Sequence, residues 1–381
     1  MNFYIFSAQY LPTVGGVERY TNSLAKKLIE KGHSVTVVTS SLQNLPEEEI
    51  DGDNIHIVRL PVIPVMGGRF PVLKLSAQLK KFKKHFAQNK PDFCVIQTRF
   101  YTNSILAARL CARHKVPSIV VEHGTAHLMR GGITGFAGNI YEHIICKYIH
   151  HLCPDFYGVS LSCCQWLEHF GIKTDKTLYN SITPEIVNGI ADSGTESLMA
   201  KLPQEAADKF KIVFSARFIP EKGVLQLLSA FEKLKEKYDD IMLIMAGDGP
   251  LWNEADKLKG QGVFLTSRIP YRENLALIKL GDVFCLPTFS EGFATTVLEA
   301  AAMKTYIVTT PTGGTPQLVI GEDYGTLMPD MSEQSIYDAL DKVLANKESL
   351  ADATEKVYTK LNNEFTWEKT SEKLLNIAQK K

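Results

Sequence analysis

Two pairs of charged residues in the second half of the chain have types and spacings that suit a phosphorylated sugar ligand. Arg217 and Lys222 lie five residues apart, directly after the apolar segment 211–216 and ahead of a predicted helix. Arginine binds a diphosphate through its planar fork and lysine binds it as a point charge. Glu291 and Glu299 lie eight residues apart around the start of another predicted helix. Each pair alone would also fit a solvated loop or an ordinary capped helix, so the prediction rests on their combination.

Backbone N–H groups extend this predicted site. The helix that follows Glu291 begins in a segment that presents such groups to an anion, formed by Gly292, Phe293, Ala294 and Thr295. Gly249 lies in the turn Asp248-Gly249-Pro250, after another predicted strand. Two carboxylates around these groups suit sugar and ribose hydroxyls, while the amides and cations suit phosphate.

A glycine pair in the first half also precedes a helix. Gly15 and Gly16 open the helical pattern 17–31, where free N–H groups and the helix dipole favour an anion, although a plain tight turn would also explain them. The segment is not GxGxxG, and the second predicted strand ends in Thr39-Ser40 rather than in an acidic residue. A nicotinamide cofactor is therefore disfavoured.

These residues are positioned by alternating strands and helices. The predicted strands are 2–7, 34–39, 55–60, 93–97, 118–121, 155–160, 176–180, 211–216, 241–246, 262–265, 283–286, 305–309 and 324–328, with helices that include 17–31, 295–303, 333–346 and 367–379. Such alternation predicts parallel sheets with right-handed crossovers, and so many strands favour two sheets. Ligands of such sheets bind beyond the carboxyl ends of the strands, which is where the glycines and charged pairs lie.

The strand pattern breaks near 183–205, where Pro, Gly and Ser accumulate. The predicted fold class is therefore α/β, with two doubly wound domains at 1–185 and 200–365, a linker at 186–199, and a final helix.

The total charge conceals an asymmetry. The 381 residues contain 42 Lys plus Arg and 42 Asp plus Glu, but residues 1–182 contain 20 basic and 13 acidic residues. The first half is thus +7 and the remainder −7. A polyanionic partner is not excluded for the first half alone.

One helix concentrates that positive charge. Residues 74–90 contain no acidic residue, while Leu75, Leu79, Phe82 and Phe86 follow helical spacing. A basic amphipathic helix can contact an anionic membrane, through Lys74, Lys80, Lys81, Lys83 and Lys84 in this chain. The same apolar stripe is also needed to pack on the sheet. Nucleic acid is disfavoured because no aromatic platform accompanies the lysines.

The termini and cysteines predict a cytoplasmic protein. The first residues lack a basic signal-peptide region, and no apolar run approaches the roughly 18 residues needed to span a bilayer. The seven cysteines are odd in number and scattered, which favours reduced thiols. A zinc site at His150, His151, Cys153, Cys163 and Cys164 is disfavoured because it lacks a CxxC pair.

The order of these motifs resembles a known family. The motifs are, in chain order, GGVERY at 15–20, EHGT at 122–125, GVS at 158–160, YN at 179–180, RFIPEKG at 217–223, GDGP at 247–250, EGFATTVLE at 291–299, TGGTP at 312–316 and FTWEK at 365–369. Together they resemble segments of the retaining GT-B glycosyltransferases of family 4, the glycosyltransferase group 1 type. The resemblance implies two Rossmann-like domains facing across a cleft. It also implies that the C-terminal helix, 366–381, crosses back to the first domain, which binds the acceptor.

The resemblance also implies roles for individual residues. Arg217 and Lys222 match the family's cations that bind the donor diphosphate. Glu299 matches the carboxylate that binds the nucleotide ribose, and Glu291 matches the carboxylate that faces the donor sugar. The backbone of 292–295 matches a loop touching sugar and phosphate, and Gly249 belongs to the same donor site. Gly15 and Gly16 match a turn closing over the diphosphate. His123 matches a histidine beside sugar and acceptor, with a core histidine as the alternative.

The implied reaction moves a hexosyl unit from a UDP- or GDP-linked sugar to a glycan or to a polyprenyl- or lipid-linked acceptor, in cell-surface polysaccharide or glycolipid synthesis. The resemblance implies that the anomeric configuration of the donor sugar is retained through front-side attack, and that transfer needs no cofactor and no essential metal. We expect a cytoplasmic enzyme that can lie on the inner face of the plasma membrane. The Asp51-Gly52-Asp53 triplet is a weak candidate for a metal clamp. The alternatives are a nucleotide-sugar 2-epimerase on the same fold and a non-catalytic sugar-nucleotide-binding relative.

The chain departs from the family pattern at two places. Ala294 stands where many relatives have glycine, and Met303-Lys304 stand where others have a Cys-Gly pair. The Ala294 methyl group would face the loop that touches the donor sugar, which predicts a narrower choice of sugar.

Overall fold

The chain divides into two α/β units. The computed structural model describes residues 1–13, 15–43, 45–128 and 132–381. Met1–Asn180 and Trp367–Lys381 form the first unit, and Ser181–Thr366 form the second. Each unit contains its own sheet, flanked by helices, so the predicted doubly wound α/β class is confirmed.

The first unit is built on an eight-stranded sheet in the order β3-β4-β2-β1-β6-β7-β8, with β5 paired to β4. Its strands are β1 (Asn2–Phe6), β2 (Ser34–Ser41), β3 (Glu48–Ile50), β4 (His56–Val65), β5 (Phe70–Leu73), β6 (Phe93–Gln97), β7 (Ser118–Glu122) and β8 (Phe156–Gly158). Its helices are α1 (Gly16–Glu30), α2 (Ala77–Gln88), α3 (Thr102–His114), α4 (Gly132–Leu152) and α5 (Leu161–Glu168). Only β3 and β5 run antiparallel to β4, and the other pairs are parallel.

The strand order of this sheet reverses between β1 and β6, which pair from Phe3 with Phe93 to Phe6 with Ile96. Apolar side chains alternate between the two faces of the sheet. One face packs on α2, α3 and α4 through residues such as Phe82, and the opposite face packs on α1 through residues such as Leu24. The crevice at the reversal is the expected ligand position of a doubly wound sheet.

The last helix, Trp367–Gln379, belongs to the first unit. The Trp367 ring packs edge-on to Tyr20 with centroids 5.1 Å apart, and the Thr370 hydroxyl donates to the Tyr179 carbonyl at 3.3 Å. The predicted return of the C-terminal helix to the first domain is confirmed.

The second unit contains a six-stranded parallel sheet in the order β11-β10-β9-β12-β13-β14. Its strands are β9 (Phe210–Ser215), β10 (Ile241–Ala246), β11 (Val263–Thr266), β12 (Val283–Leu286), β13 (Tyr306–Thr309) and β14 (Thr326–Leu327). Its helices are α6 (Pro184–Met199), α7 (Val224–Lys237), α8 (Trp252–Leu258), α9 (Tyr271–Leu280), α10 (Thr295–Ala302), α11 (Thr315–Leu318), α12 (Glu333–Ala345) and α13 (Leu350–Glu364). The chain order reverses between β9 and β12, so the loops after these two strands flank the expected ligand crevice.

The predicted linker at 186–199 is wrong, because these residues lie inside α6. Pro184 starts this helix at a position where a missing N–H group has no cost. Gly194, which looked like a linker residue, lets α6 approach α9 closely, since a Cβ atom there would lie 2.3 Å from the Arg272 carbonyl oxygen. Glycine at position 194 therefore allows close helix packing and does not mark a flexible linker.

Other predictions for the first unit also need correction. The segment 176–180 is not a strand and forms only an isolated bridge between Thr177 and Gly158. The antiparallel strands β3 and β5 were not predicted. Pro64 and Pro71 face each other across the β4–β5 pair, and proline obscures a strand pattern because it cannot donate to a ladder. Leu75 is 95% exposed and precedes α2, so it is not part of the apolar stripe.

No helix in the described ranges combines the length and the apolar character that crossing a bilayer requires.

Candidate functional site

Arg217 lies at the reversal point of the second sheet. It follows β9 by two residues, its side chain is exposed, and its carbonyl accepts from the Ile219 N–H at 2.9 Å. Within the described part of the chain, no carboxylate lies within ion-pairing distance of its guanidinium. The planar fork is therefore available to a ligand.

Lys222 and Glu291 are brought into direct contact. Lys222 ends the 3-10 turn Pro220–Lys222 that leads to α7, and Glu291 lies in the loop after β12. The Lys222 ammonium pairs with the Glu291 carboxylate and donates to Thr288 Oγ1 at 3.2 Å. Both side chains are partly buried, 13% and 22% exposed, so solvent screens the pair less than it would a surface pair. The ammonium has three donors, and in the described part of the chain two of them have these partners, which leaves one.

The loop that contains Glu291 is held in place by the turn at 312–315. Gly313 adopts a left-handed φ of 57°, and a Cβ atom there would lie 2.5 Å from the Gly292 carbonyl oxygen. Phe293 is buried and packs edge-on against Phe365 with centroids 5.4 Å apart. Ala294 is the N-cap of α10, and Thr295 is its first residue. The positive end of the α10 dipole therefore lies at this loop.

Glu299 is buried, only 1% exposed, in the second turn of α10. Its Oε1 accepts a hydrogen bond from the Tyr271 hydroxyl at 2.8 Å. Tyr271 is the first residue of α9. The phenol therefore fixes the orientation of the carboxylate.

Gly249 lies in the turn after β10, which packs against the chain just beyond Arg217. The Phe218 N–H donates to the Asp248 carbonyl at 2.7 Å, and the Leu251 N–H donates to the Phe218 carbonyl at 3.0 Å. These bonds tie the β10 turn to the segment that contains Arg217. The second unit thus gathers the loops containing Arg217, Lys222, Gly249 and Glu291 on the carboxyl side of its sheet.

In the first unit, the helix start at Gly15 and Gly16 is already faced by an anion. Gly15 is the N-cap of α1, and Glu18 in the first turn is buried. Burial raises the pKa of Glu18, while hydrogen bonds from the backbone N–H groups of Glu18 and Gly15 oppose that shift. The Glu18 carboxylate therefore accepts from the backbone N–H groups that we predicted to bind phosphate.

His123 follows β7 and is held inside the first unit. Its Nε2 lies 2.6 Å from Gln97 Oε1, and its ring packs edge-on to Tyr20 with centroids 4.7 Å apart. Burial lowers the pKa of His123 to about 3, so the imidazole is neutral at physiological pH. A neutral ring fits a positioning role and also fits the core-histidine alternative.

The basic helix α2 has the predicted two faces. Leu79, Phe82 and Phe86 are buried against the sheet. The lysines are exposed, namely Lys74, Lys80, Lys81, Lys83 and Lys84. On the same side of the sheet, α4 exposes an apolar stripe at four-residue spacing, formed by Phe136, Ile140 and Ile144.

In the described ranges, the residues of the two metal sites considered from the sequence do not come together as a group of three or more ligands. Asp51 Oδ1 accepts from the backbone N–H groups of Asp53 and Ile55 at 2.9 Å, and the Asp53 carboxylate pairs with Lys26 at 2.7 Å. All seven cysteines are free and buried. Within the described ranges, the group of metal-binding side chains that does come together is a different one, formed by His127, His143 and His169.

The sequence did not single out three polar residues that contact site residues. Tyr271 donates to Glu299, Thr288 accepts from Lys222, and Gln97 contacts His123. Gln97 Nε2 is buried and has no partner in the described part of the chain. The one available signal was position, because Gln97 and Thr288 each lie at or just after the end of a strand beside a reversal point.

Comparison with known proteins identifies the two halves. Residues 14–184 match the family model described as Glycosyltransferase Family 4. Residues 199–360 match the model described as Glycosyl transferases group 1. The two models together account for most of the chain.

Relatives match over nearly the whole chain. An uncharacterized glycosyltransferase of Methanocaldococcus jannaschii is 24% identical, covering 99% of this chain and 97% of that protein. A human phosphatidylinositol N-acetylglucosaminyltransferase subunit is 21% identical over 98% of this chain and 74% of its own length. The alpha-monoglucosyldiacylglycerol synthase of Streptococcus pneumoniae is 23% identical over 91% and 83%.

Solved structures share the fold. A glycosyltransferase of Rickettsia africae has a TM-score of 0.77 at 17% identity, covering 100% of this chain and 98% of its own. The Anabaena protein HepE, solved in complex with UDP, has a TM-score of 0.75 at 15% identity, covering 100% and 99%. The two adjoining family models and the relatives that match over nearly the whole chain show that it belongs to the group 1 glycosyl transferases and is a glycosyltransferase.

Proposed function

We propose that this enzyme transfers a hexosyl unit from a UDP- or GDP-linked sugar, with retention of anomeric configuration, to a glycan or lipid-linked acceptor. The observation that carries the proposal is the Lys222–Glu291 contact beside the exposed Arg217 at the reversal point of the second sheet. This supports the proposal, because two cations that could bind a diphosphate and a carboxylate that could bind a sugar lie in one set of loops.

The cations have a direct catalytic use. Negative charge develops on the departing phosphate during glycosyl transfer, and preorganised donors stabilise that charge more in the transition state than in the ground state. Arg217 and the remaining donor of Lys222 would bind the diphosphate, with the α10 dipole adding to them. Glu299, oriented by Tyr271, would bind the ribose hydroxyls.

Retention follows in this proposal from front-side attack. The acceptor hydroxyl would approach the face that the nucleotide leaves, and the leaving phosphate oxygen would take the acceptor proton. Glu291 would orient the sugar hydroxyls, because the Lys222 ammonium holds its carboxylate in place. We further propose that no metal takes part in transfer, since Arg217 and Lys222 supply the positive charge.

A donor panel tests the proposal. We expect UDP- or GDP-sugars to raise the melting temperature, and nucleoside diphosphate release to require an acceptor. We expect NMR to show that the new glycosidic bond of the product has the same anomeric configuration as the donor sugar. Release that does not need an acceptor, or an inverted product, would contradict the mechanism.

Treatment with a chelator tests whether transfer requires a metal ion. We expect transfer to continue in EDTA at an unchanged rate. Strict dependence on added manganese, with no transfer in its absence, would contradict the metal-free mechanism.

We propose that the acceptor is presented at an anionic membrane and that the first unit contacts it. Two features support this, the exposed lysines of α2 and the apolar stripe Phe136, Ile140 and Ile144 of α4, which flank α3 on one side of the sheet. Two of the relatives named above have lipids in their names, phosphatidylinositol and diacylglycerol. Such a location would make the enzyme a peripheral protein of the cytoplasmic membrane face.

Vesicle co-sedimentation tests this location. We expect binding to phosphatidylglycerol vesicles and much weaker binding to phosphatidylcholine vesicles. Glutamine at Lys80, Lys81, Lys83 and Lys84 should abolish it, and Phe136→Ser should weaken it. A control with the same charge change places glutamine at four exposed lysines of the second unit, Lys237, Lys257, Lys342 and Lys356. Equal loss in the control, or equal binding to both vesicles, would contradict the proposal.

A further inference from the structure

Three histidines from separate segments of the first unit converge on one point. His127 follows β7, His143 lies in the middle of α4, and His169 directly follows α5. The Nε2 atom of His169 lies 3.2 Å from Nε2 of His127 and 3.2 Å from Nε2 of His143. One ligand atom of each residue lies within 4.8 Å of the other two.

Hydrogen bonds among the three rings do not explain this arrangement. His127 Nδ1 lies 3.2 Å from the Glu142 Oε2 carboxylate oxygen, so Nδ1 is the protonated nitrogen and Nε2 presents a lone pair. His169 Nε2 carries at most one hydrogen but faces two other imidazole nitrogens. A shared cation satisfies all three lone pairs at once. In a tetrahedral zinc site with bonds of 2.0–2.1 Å, the ligand nitrogens are separated by about 3.3 Å.

The surroundings position these ligands as a metal site requires. Glu142 is 2% exposed, and its Oε2 pairs with the Arg99 guanidinium at 2.7 Å while Oε1 accepts from the Leu128 N–H at 2.8 Å. A fixed carboxylate behind a histidine Nδ1–H sets the tautomer and strengthens the metal bond. Trp166 stacks on His169 at 4.9 Å with an interplanar angle of 12°, which orients the third ring.

We propose that His127, His143 and His169 form a Zn²⁺ site with Glu142 as the outer carboxylate. His143 and His169 are exposed, so the fourth position opens to solvent and takes a water. The metal joins the segment after β7 to α4 and to the end of α5. It is separate from the proposed transfer chemistry, which uses none of these three side chains.

Zinc titration of the metal-stripped protein, purified without a histidine tag, tests the site. We expect one tightly bound Zn²⁺ per chain by calorimetry and by mass spectrometry. His143→Gln and His169→Gln should each weaken binding on the order of 100-fold. His151→Gln is the matched control, because His151 is an exposed histidine of the same helix outside the cluster, and it should bind as the wild type does.

Two spectroscopic readouts separate a built site from a loose surface contact. Zinc should change the emission of Trp166 in the wild type but not in His169→Gln. Cobalt should give the visible absorption of a four-coordinate nitrogen and oxygen site. The proposal is wrong if the wild type binds no zinc, if His169→Gln binds zinc as tightly as the wild type, or if His151→Gln loses binding equally.

Discussion

Arg99 and Arg217 show how the same residue type at equivalent places serves two purposes. Each lies two residues beyond a strand that flanks the reversal point of its own sheet, β6 for Arg99 and β9 for Arg217. Arg99 is fully buried and pairs at 2.7 Å with both Glu122 and Glu142. Arg217 is exposed, and no carboxylate of the described ranges pairs with it.

The difference lies in the partners rather than in the arginines. Burial acts to lower the pKa of Arg99, but Glu122 and Glu142 outweigh it and raise that pKa. Its guanidinium is therefore part of the internal structure of the first unit, whereas the charge of Arg217 is available to an external anion. For these two arginines, the presence or absence of a neighbouring carboxylate decides whether the charge is available to a ligand.

The largest expected effect is on folding, from Arg99→Met. The substitution leaves Glu122 and Glu142 buried with no cation, and breaking a buried pair in this way typically costs about 3–5 kcal/mol. Urea unfolding of the wild type and the variant would measure the loss. Replacing both carboxylates by glutamine in the same chain should restore most of it. A loss below about 1 kcal/mol for Arg99→Met would contradict the internal role.

The next effect is on catalysis, from Arg217→Ala. We expect kcat to fall by about 10²–10³, as for other lost transition-state donors, with stability unchanged within about 0.5 kcal/mol. Nucleotide release at saturating donor would measure it. Arg113→Ala removes an exposed arginine at the end of α3 and should leave turnover as in the wild type. Wild-type turnover in Arg217→Ala would show that its charge has no part in transfer.

A smaller effect should appear in the pH dependence of stability. Burial lowers the pKa of His123 to about 3, so between pH 6.5 and 3 the unfolded chain binds a proton that the folded chain does not. Stability from this residue is complete above pH 6.5 and falls with decreasing pH, by about 1 kcal/mol from pH 7 to 5 after allowance for partial exposure. Urea midpoints at both pH values would measure it. His123→Gln should show a shallower decline, and an equal slope would contradict the assignment.

The smallest effect is expected from Tyr271→Phe. It removes one hydrogen bond that orients the Glu299 carboxylate. With a typical net contribution of about 0.5–1.5 kcal/mol, the KM for the donor should rise about 2- to 12-fold with little change in kcat. Glu299 thus contrasts with Glu142, which is fixed by a guanidinium rather than a phenol. A change in kcat alone, measured in the nucleotide-release assay, would rule out a donor-binding role.

Local patterns were enough to predict most of the fold. The alternation of strands and helices predicted β9, β12 and their crossovers, and it placed Arg217 and Glu291 at strand ends. Interactions between distant segments were not predictable. The Tyr271–Glu299 bond joins α9 to α10, and the contact of Gly194 with Arg272 joins α6 to α9. In both cases the sequence shows a residue type without its partner.

For the site, too, the sequence predicted individual residues but not the contacts between them. Charge and spacing selected Lys222 and Glu291, but as separate ligand contacts rather than as an ion pair. The histidine cluster could not be recognised, because its members are 16 and 26 residues apart and follow no metal-binding spacing. Only the packing of α4 against the ends of β7 and α5 brings them together.

The carboxylate of Glu18 at the start of α1 has a consequence for ligand selectivity. A group that is covalently part of the chain acts at its binding position with an effective concentration in the millimolar range or higher. We therefore expect dilute inorganic phosphate to compete poorly for the N–H groups of Gly15 and Glu18. A phosphoryl group that is attached to a larger bound ligand should compete better, because its own effective concentration is also high. If a ligand binds here, the Glu18 carboxylate should therefore select it by how its phosphate is presented and not by charge alone.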